Sequence, residues 1–256
     1  MGSKPISLQP AYVLHQRPWG DTSVILELFT PEHGRMGALA KGAKRMRSPW
    51  HGLLQPFHPL LVDWRGRGEL KTLIRAEPQG QALALPAAVL ASGFYLNELL
   101  LRLLSRDDAQ IALFGCYDAA LRDLVTSRGV ALETTLRRFE RDLLAVLGYG
   151  LVLDHEVTKG QSLAVERRYH YVIERGPVPA EANVAGEGIP LQGGTLLALR
   201  DGELGEATQR REAKRLMRAV LAHYLGPRPL ASRALLAGPA ALGAKDKTNL
   251  DEGSKV

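Results

Sequence analysis

Residues 11–41 read AYVLHQRPWGDTSVILELFTPEHGRMGALAK. The stretch holds three short runs rich in Val, Leu, Ile and aromatics, at 11–16, 23–29 and 37–41, and the breaks between them have physical causes. Pro18 and Gly20 end the first run, and Pro31, Glu32, His33 and Gly34 turn the second. Two further runs, 60–64 and 70–76, flank Arg65-Gly66-Arg67-Gly68, which reads as a tight hairpin. Five short strands in the first 80 residues predict a small OB-type or SH3-like barrel, because a sandwich needs more strands. Between the third and fourth runs, GAKRMRSPWHG (42–52) breaks the pattern and predicts an exposed basic loop.

After Pro86 the apolar period changes from two to three and four. Val89, Leu96, Leu100 and Leu103 mark a first helix, and 108–126 a second. A third spans 133–147, with Leu136, Phe139, Leu143, Leu144 and Leu147 as its stripe, Arg137, Arg138 and Arg141 on the other face, and Gly148 as C-cap. Residues 151–196 lose helical periodicity, with a strand at 169–173, and helix returns at 195–199 and 209–225. The chain thus reads as α+β. A barrel occupies 1–80, a helical domain with an irregular insertion at 151–192 occupies 81–237, and a small, polar, disordered tail occupies 238–256.

Composition narrows the function. The 256 residues carry 33 Lys+Arg against 27 Asp+Glu, a net charge of +6. Residues 1–80 hold 11 against 6, residues 81–199 hold 11 against 14, and residues 200–256 hold 11 against 7, so two basic regions flank an acidic one. Cys116 stands alone, which excludes an intramolecular disulfide and a cysteine zinc site and points to a reducing cytoplasm. No window has the apolar length of a membrane span, and the first ten residues lack a signal-peptide core.

The seven histidines are dispersed and form no HxxxH or HExxH spacing. No GxxxxGK[ST] loop is present, and the carboxylates Asp107 and Asp108 fall at a helix start, where capping explains them. The expectation is a protein without catalysis or cofactor. The basic clusters are more informative: Lys41, Lys44, Arg45 and Arg47 fall within seven residues, with Trp50 and His51 just beyond. If the barrel closes, Arg65, Arg67 and Lys71 approach them, giving cations for phosphates and rings for bases. On the last helix Arg211, Lys214, Arg215 and Arg218 recur at helical steps, a face that serves DNA, an acidic peptide or solvent alone.

The segment 11–45 closely resembles the N-terminal domain of the bacterial recombination mediator family RecO. The similarity continues through LLQPFHPLLVDWRGRGELKTL (53–73), FYLNELLLRLL (94–104), LRRFERDLLAVLGYG (136–150) and GPRPLASR (226–233). The resemblance implies an OB-fold followed by an α-helical domain, a nucleoid-associated cytoplasmic location, and a non-enzymatic role in recombinational repair. It further implies binding of single- and double-stranded DNA, annealing of complementary strands, binding to RecR, and help in loading RecA onto strands coated by single-stranded-DNA-binding protein (SSB). By resemblance, the DNA contacts are Arg35, Lys41, Lys44, Arg45, Arg47, Arg65, Arg67 and Lys71. The acidic, Phe-terminated tail of SSB would meet Arg137, Phe139, Arg211, Lys214 and Arg215. Some relatives carry a four-cysteine zinc module between the central helices; residues 151–191 here contain no cysteine, so no metal is expected. The competing reading is an OB-fold protein that binds RNA or ribosomes.

Overall fold

The computed structural model describes residues 6–182 and 187–236, so the tail expected at 238–256 lies outside the described residues. Five strands, β1 (Ile6–Trp19), β2 (Ser23–Thr30), β3 (Gly34–Ala40), β4 (Leu60–Arg65) and β5 (Leu70–Pro78), close into an OB-like barrel in the order β1-β2-β3-β5-β4. β1 serves two partners. It pairs with β4 from Ile6 to Ala11 and with β2 from Tyr12 to Trp19, with register shifts at 6–9 and 13–15 that bend it from one to the other. The strand continues through Pro18, where the sequence suggested a break. Its pairing with β4 has ended at Ala11 and an isolated bridge from Val13 to Pro56 follows, after which no strand pairs on that side, and an unpaired edge tolerates a residue without an amide hydrogen.

Alternation along β1 sends side chains to two different cores. Ala11 and Val13 enter the barrel with Leu26, Leu28, Val62 and Trp64, whereas Tyr12 and Leu14 enter a second core built by the helices. β2 does the same, with Leu26 and Leu28 inside the barrel and Phe29 among the helices. Tyr12 and Phe29 meet Phe114 and Tyr117 at centroid distances of 5.2 to 6.0 Å, and Tyr117 in turn meets Phe139 at 6.3 Å. The Asn97 amide donates to the Leu14 carbonyl at 2.9 Å and accepts from the Tyr117 hydroxyl at 2.5 Å, so the buried polar groups of the seam are paired.

The helical part contains α1 (Ala87–Leu103), α2 (Ile111–Thr126) and α3 (Val130–Val146), then a three-stranded sheet of β6 (Arg168–Val172), β7 (Gly176–Pro179) and β8 (Ile189–Gln192). α4 (Gly193–Asp201), α5 (Ala207–Leu225) and the short α6 (Ser232–Leu236) follow. Gly148 ends α3 as expected, with Tyr149 N–H returning to the Leu144 carbonyl at 2.8 Å. The insertion is more regular than its sequence suggested: β6 lies between β7 and β8 and buries Tyr169 and Tyr171. Its leading turn is held by the buried Glu156, whose carboxylate accepts from the N–H groups of Thr158, Lys159 and Gln161 at 2.6 to 3.4 Å. Among the described residues, no group of three or more His, Cys, Asp or Glu is placed to hold a metal ion, and no helix is long and apolar enough to cross a membrane.

Asp107 and Asp108 do not cap α2, which begins at Ile111 behind Gln110 with no side-chain cap. They dock the β2–β3 turn instead. Asp107 N–H donates to the Arg35 carbonyl and Gln110 N–H to the Pro31 carbonyl, both at 2.9 Å, and the Asp107 carboxylate pairs with Lys71. Gly34 sits inside this contact at φ +58°, and a Cβ added there would lie 1.7 Å from the Asp108 carbonyl oxygen. Gly20, at φ +54°, has nothing within 4 Å of the same point. Both positions carry the strain of a left-handed backbone, about 1–2 kcal/mol for a residue with a side chain. Gly34→Ala is therefore expected to lower unfolding free energy in urea clearly more than Gly20→Ala does, and equal losses would show that the docked turn is not tight.

Candidate functional site

Two surfaces concentrate charge, one on the barrel and one among the helices. On the barrel, Lys41, Lys44, Arg45 and Arg47 are all exposed on a loop of successive turns, from Arg45 N–H bonded to the Gly42 carbonyl (3.1 Å) to His51 N–H bonded to the Ser48 carbonyl (3.2 Å). Lys44 ties this loop to the β1–β2 turn: its N–H donates to the Thr22 carbonyl at 2.8 Å and its Nζ to the Gly20 carbonyl at 3.2 Å. Trp50 and Leu53 pack against the barrel core, so the Trp50 ring is only half available.

Barrel closure brings the other expected cations toward this loop only in part. β3 and β5 pair in parallel, with Gly37 opposite Leu70 and Leu39 opposite Thr72. The tip of the β4–β5 hairpin, with exposed Arg67, therefore points toward the start of β3, whereas exposed Arg65, opposite Thr72 and so level with Leu39, lies two strands across from the end of β3 where the Lys41 loop begins. At about 3.3 Å per residue Arg65 is roughly 7 Å from Lys41 along the strand direction, and Arg67 is farther. Lys71 is 7% exposed and spent on Asp107, and Arg35 is half-buried with its Nη1 donating to the Leu101 carbonyl. Both face the helices because their end of the barrel is the docked end.

The second surface is a cleft of about 230 Å³ between α1, α3, α5 and α6. Leu132 and Leu136 from α3 and Tyr95 from α1 give it apolar walls, and Arg137, Arg210, Lys214, Arg218 and Arg233 converge on it. Glu133 at the rim lies 3.4 Å from Arg210 Nε and 3.5 Å from Lys214 Nζ. The floor is more unusual. Arg137 is 8% exposed, not on the solvent face its spacing suggested, and its Nη2 donates to Glu140, whose Oε1 also accepts from the Tyr95 hydroxyl at 2.5 Å. Burial raises the fully buried Glu140 carboxyl above its ordinary range, although Arg137, Tyr95, Arg233 and Arg218 all pull it down. Arg137 Nε and Nη1 and Arg233 Nη2 are buried without a partner. Unpaired charged donors beneath an apolar opening are suited to an incoming carboxylate.

Comparison with known proteins bears on both surfaces together. A family model described as recombination protein O N terminal matches residues 6–81, and one described as recombination protein O C terminal matches residues 88–234. The chain belongs to the RecO family of DNA repair proteins. It is 49% identical to the DNA repair protein RecO of Alkalilimnicola ehrlichii over 236 residues, 92% of each chain. Similar relatives include RecO of Nitrosospira multiformis, 47% identical over 89% of this chain and 93% of that one, and RecO of Coxiella burnetii, 43% identical over 91% and 99%.

Within this RecO fold the cleft collects Arg137 and Lys214 of the expected peptide contacts and leaves three elsewhere. Phe139 is 2% exposed and faces the opposite side of α3, toward Tyr117. Arg211 turns back to Thr208 Oγ1 at 3.4 Å, and Arg215 donates to the Pro190 carbonyl on β8. The facing ridge of α5 is 210, 214 and 218, a strict four-residue repeat. Arg218 belonged to the face expected from the sequence and Arg210 did not, and Arg233 and Ser92 come from elements with no charge pattern of their own.

Arg233 is placed by a clasp between α1 and α6. The Glu98 carboxylate accepts from the N–H groups of Ala231 and Ser232, both at 2.8 Å, and from Ser232 Oγ at 2.5 Å. Arg102, one turn on, donates to the Leu225 carbonyl at the end of α5 at 2.7 Å and to Arg228 at 2.6 Å. Burial pushes the Glu98 carboxyl up, but the Ser232 and Ala231 hydrogen bonds and Arg102 outweigh it and hold it below the usual carboxylate range. A folded value below the unfolded one means the clasp stabilises fully above the unfolded value and fades as pH falls through the folded one. Glu98→Ala should cost about 1–3 kcal/mol at neutral pH. The gap to the parent, measured by urea unfolding, should shrink in acid, and a pH-independent gap would show that the charge of the clasp is not used.

Proposed function

We propose that this protein is a recombination mediator that works by binding alone, without catalysis. The free end of the barrel holds phosphates of single- and double-stranded DNA through Lys41, Lys44, Arg45 and Arg47. The cleft takes the acidic, Phe-terminated tail of SSB, with the terminal ring between Leu132, Leu136 and Tyr95 and its carboxylate on Arg137, Arg218 and Arg233. The protein is thereby brought to SSB-coated strands, where it anneals complementary DNA and, with RecR, helps load RecA. The observation that carries this reading is the buried, partnerless guanidinium nitrogens at the floor of a cleft lined with leucines. An anion with an apolar neighbour satisfies both, whereas a nucleic-acid backbone offers no such neighbour.

The test is titration with an SSB tail peptide, with and without its terminal Phe. Removing that Phe should weaken binding at least about tenfold, the loss of one buried aromatic, and equal affinities would remove the cleft assignment. Lys214→Ala and Arg218→Ala should weaken the intact peptide, whereas Arg211→Ala, outside the cleft, should change it little. Arg137→Ala is a poor probe, because it strands the Glu140 charge in the core, a change that costs about 4 kcal/mol. An RNA or ribosome binder would show no preference for SSB-coated strands over naked RNA in competition.

DNA binding should fall steeply with salt, since each phosphate contact releases counterion. Replacing one of Lys41, Lys44, Arg45 or Arg47 by Ala should reduce the slope of log affinity against log salt by about 1. An unchanged slope for all four would place the phosphates elsewhere.

A further inference from the structure

We infer that Trp19 is a base-stacking residue that makes the free end of the barrel prefer single strands over duplex. The inference rests on the DNA-binding reading above. Trp19 is the last residue of β1 and is 50% exposed. Among the described residues it is the only exposed tryptophan, tyrosine or phenylalanine of the barrel: Tyr12, Phe29, Phe57 and Trp64 are buried, and Trp50 is half-buried. Half of the indole surface is thus open to a stacking partner. Its backbone is fixed, because Trp19 pairs with Ser23 across a two-stranded end closed by Gly20.

The surroundings of Trp19 say what covers it. Lys44 bridges from the basic loop to the carbonyls of Gly20 and Thr22 in the turn that follows Trp19, so the cations at 41–47 and the ring belong to one surface. Arg17, two residues earlier and therefore on the same side of the strand, is also exposed. A ring rimmed by cations suits a base attached to phosphates better than an apolar protein face, which would leave those cations uncompensated. Charge by itself binds any nucleic acid and cannot distinguish one strand from two. A flat ring can, because a single strand offers free base faces and a duplex keeps them stacked inside. Pairing of two strands would remove the base from Trp19 and leave only the phosphate contacts, so the annealed product binds more weakly than either strand it came from.

The experiment compares the parent protein with Trp19→Ala and Trp19→Tyr on labelled oligo(dT) and on a duplex of equal length, by fluorescence anisotropy at one salt concentration. Thermal unfolding confirms that the variants are folded. Trp19→Ala should weaken oligo(dT) binding about 5- to 150-fold, the loss of one base stack, and duplex binding less than about 2-fold, with Trp19→Tyr restoring most of the affinity. Oligo(dT) should also quench the tryptophan fluorescence of the parent, and this quenching should disappear in Trp19→Tyr. Unchanged single-strand affinity, or equal losses on both DNAs, overturns the role of Trp19 while leaving DNA binding intact. If the parent binds neither DNA, the DNA-binding reading itself fails and takes this inference with it.

Discussion

Tyr12, Leu14 and Phe29 leave the outer face of the barrel and become part of the helical core, and the placement of everything else follows from that seam. Each is 2% exposed or less. At about 1.5–3 kcal/mol for each buried side chain the three contribute roughly 5–9 kcal/mol, comparable to the net stability of an entire domain. The barrel and the helices are therefore not two bodies on a linker. The Asn97 amide between Leu14 and Tyr117 adds direction to this apolar contact, since it is satisfied in one alignment of α1 against β1.

The seam also determines the two faces of α3. Phe139 packs toward Tyr117, which orients the helix and turns Leu132, Leu136 and Arg137 the other way, into the cleft. α1 completes the arrangement within two turns: Asn97 holds the barrel, Glu98 holds α6, and Arg102 holds the end of α5. The barrel's free end is free for the same reason. Its opposite end is consumed by the contact of Gly34, Arg35 and Lys71 with residues 101–110.

The strands were legible because apolar runs and their Gly and Pro breaks report local geometry, and all five contain most of their expected runs, although β1 extends well beyond 11–16 at both ends. α3 and α5 were legible from their stripes. The choice among cations was not. Lys71 and Arg35 look like their exposed neighbours in sequence, and only the docking of a distant segment at 101–110 consumes them. Arg137 reads as a surface residue of an amphipathic helix until Glu140 and Tyr95 are found beside it. Parallel pairing of β3 with β5 likewise has no local signature, so the level at which Arg65 and Arg67 meet β3 was invisible. The sheet around β6 was half-visible, because β7 and β8 are four residues each and both contain Pro.

The double-sided burial of β1 and β2 has a consequence for synthesis of the chain. The barrel is complete once residue 78 has been made, yet Phe114 and Tyr117, which meet Tyr12 and Phe29, and Asn97, which holds Leu14, come later. Until those helices arrive, a finished barrel carries an uncovered aromatic and aliphatic strip, the kind of surface through which nascent chains aggregate. A fragment ending near Pro86 would keep that strip permanently, so the barrel is not a module to be cut out and moved to another protein. An evolutionary transplant of the DNA-binding end would have to carry α1 and α2 with it.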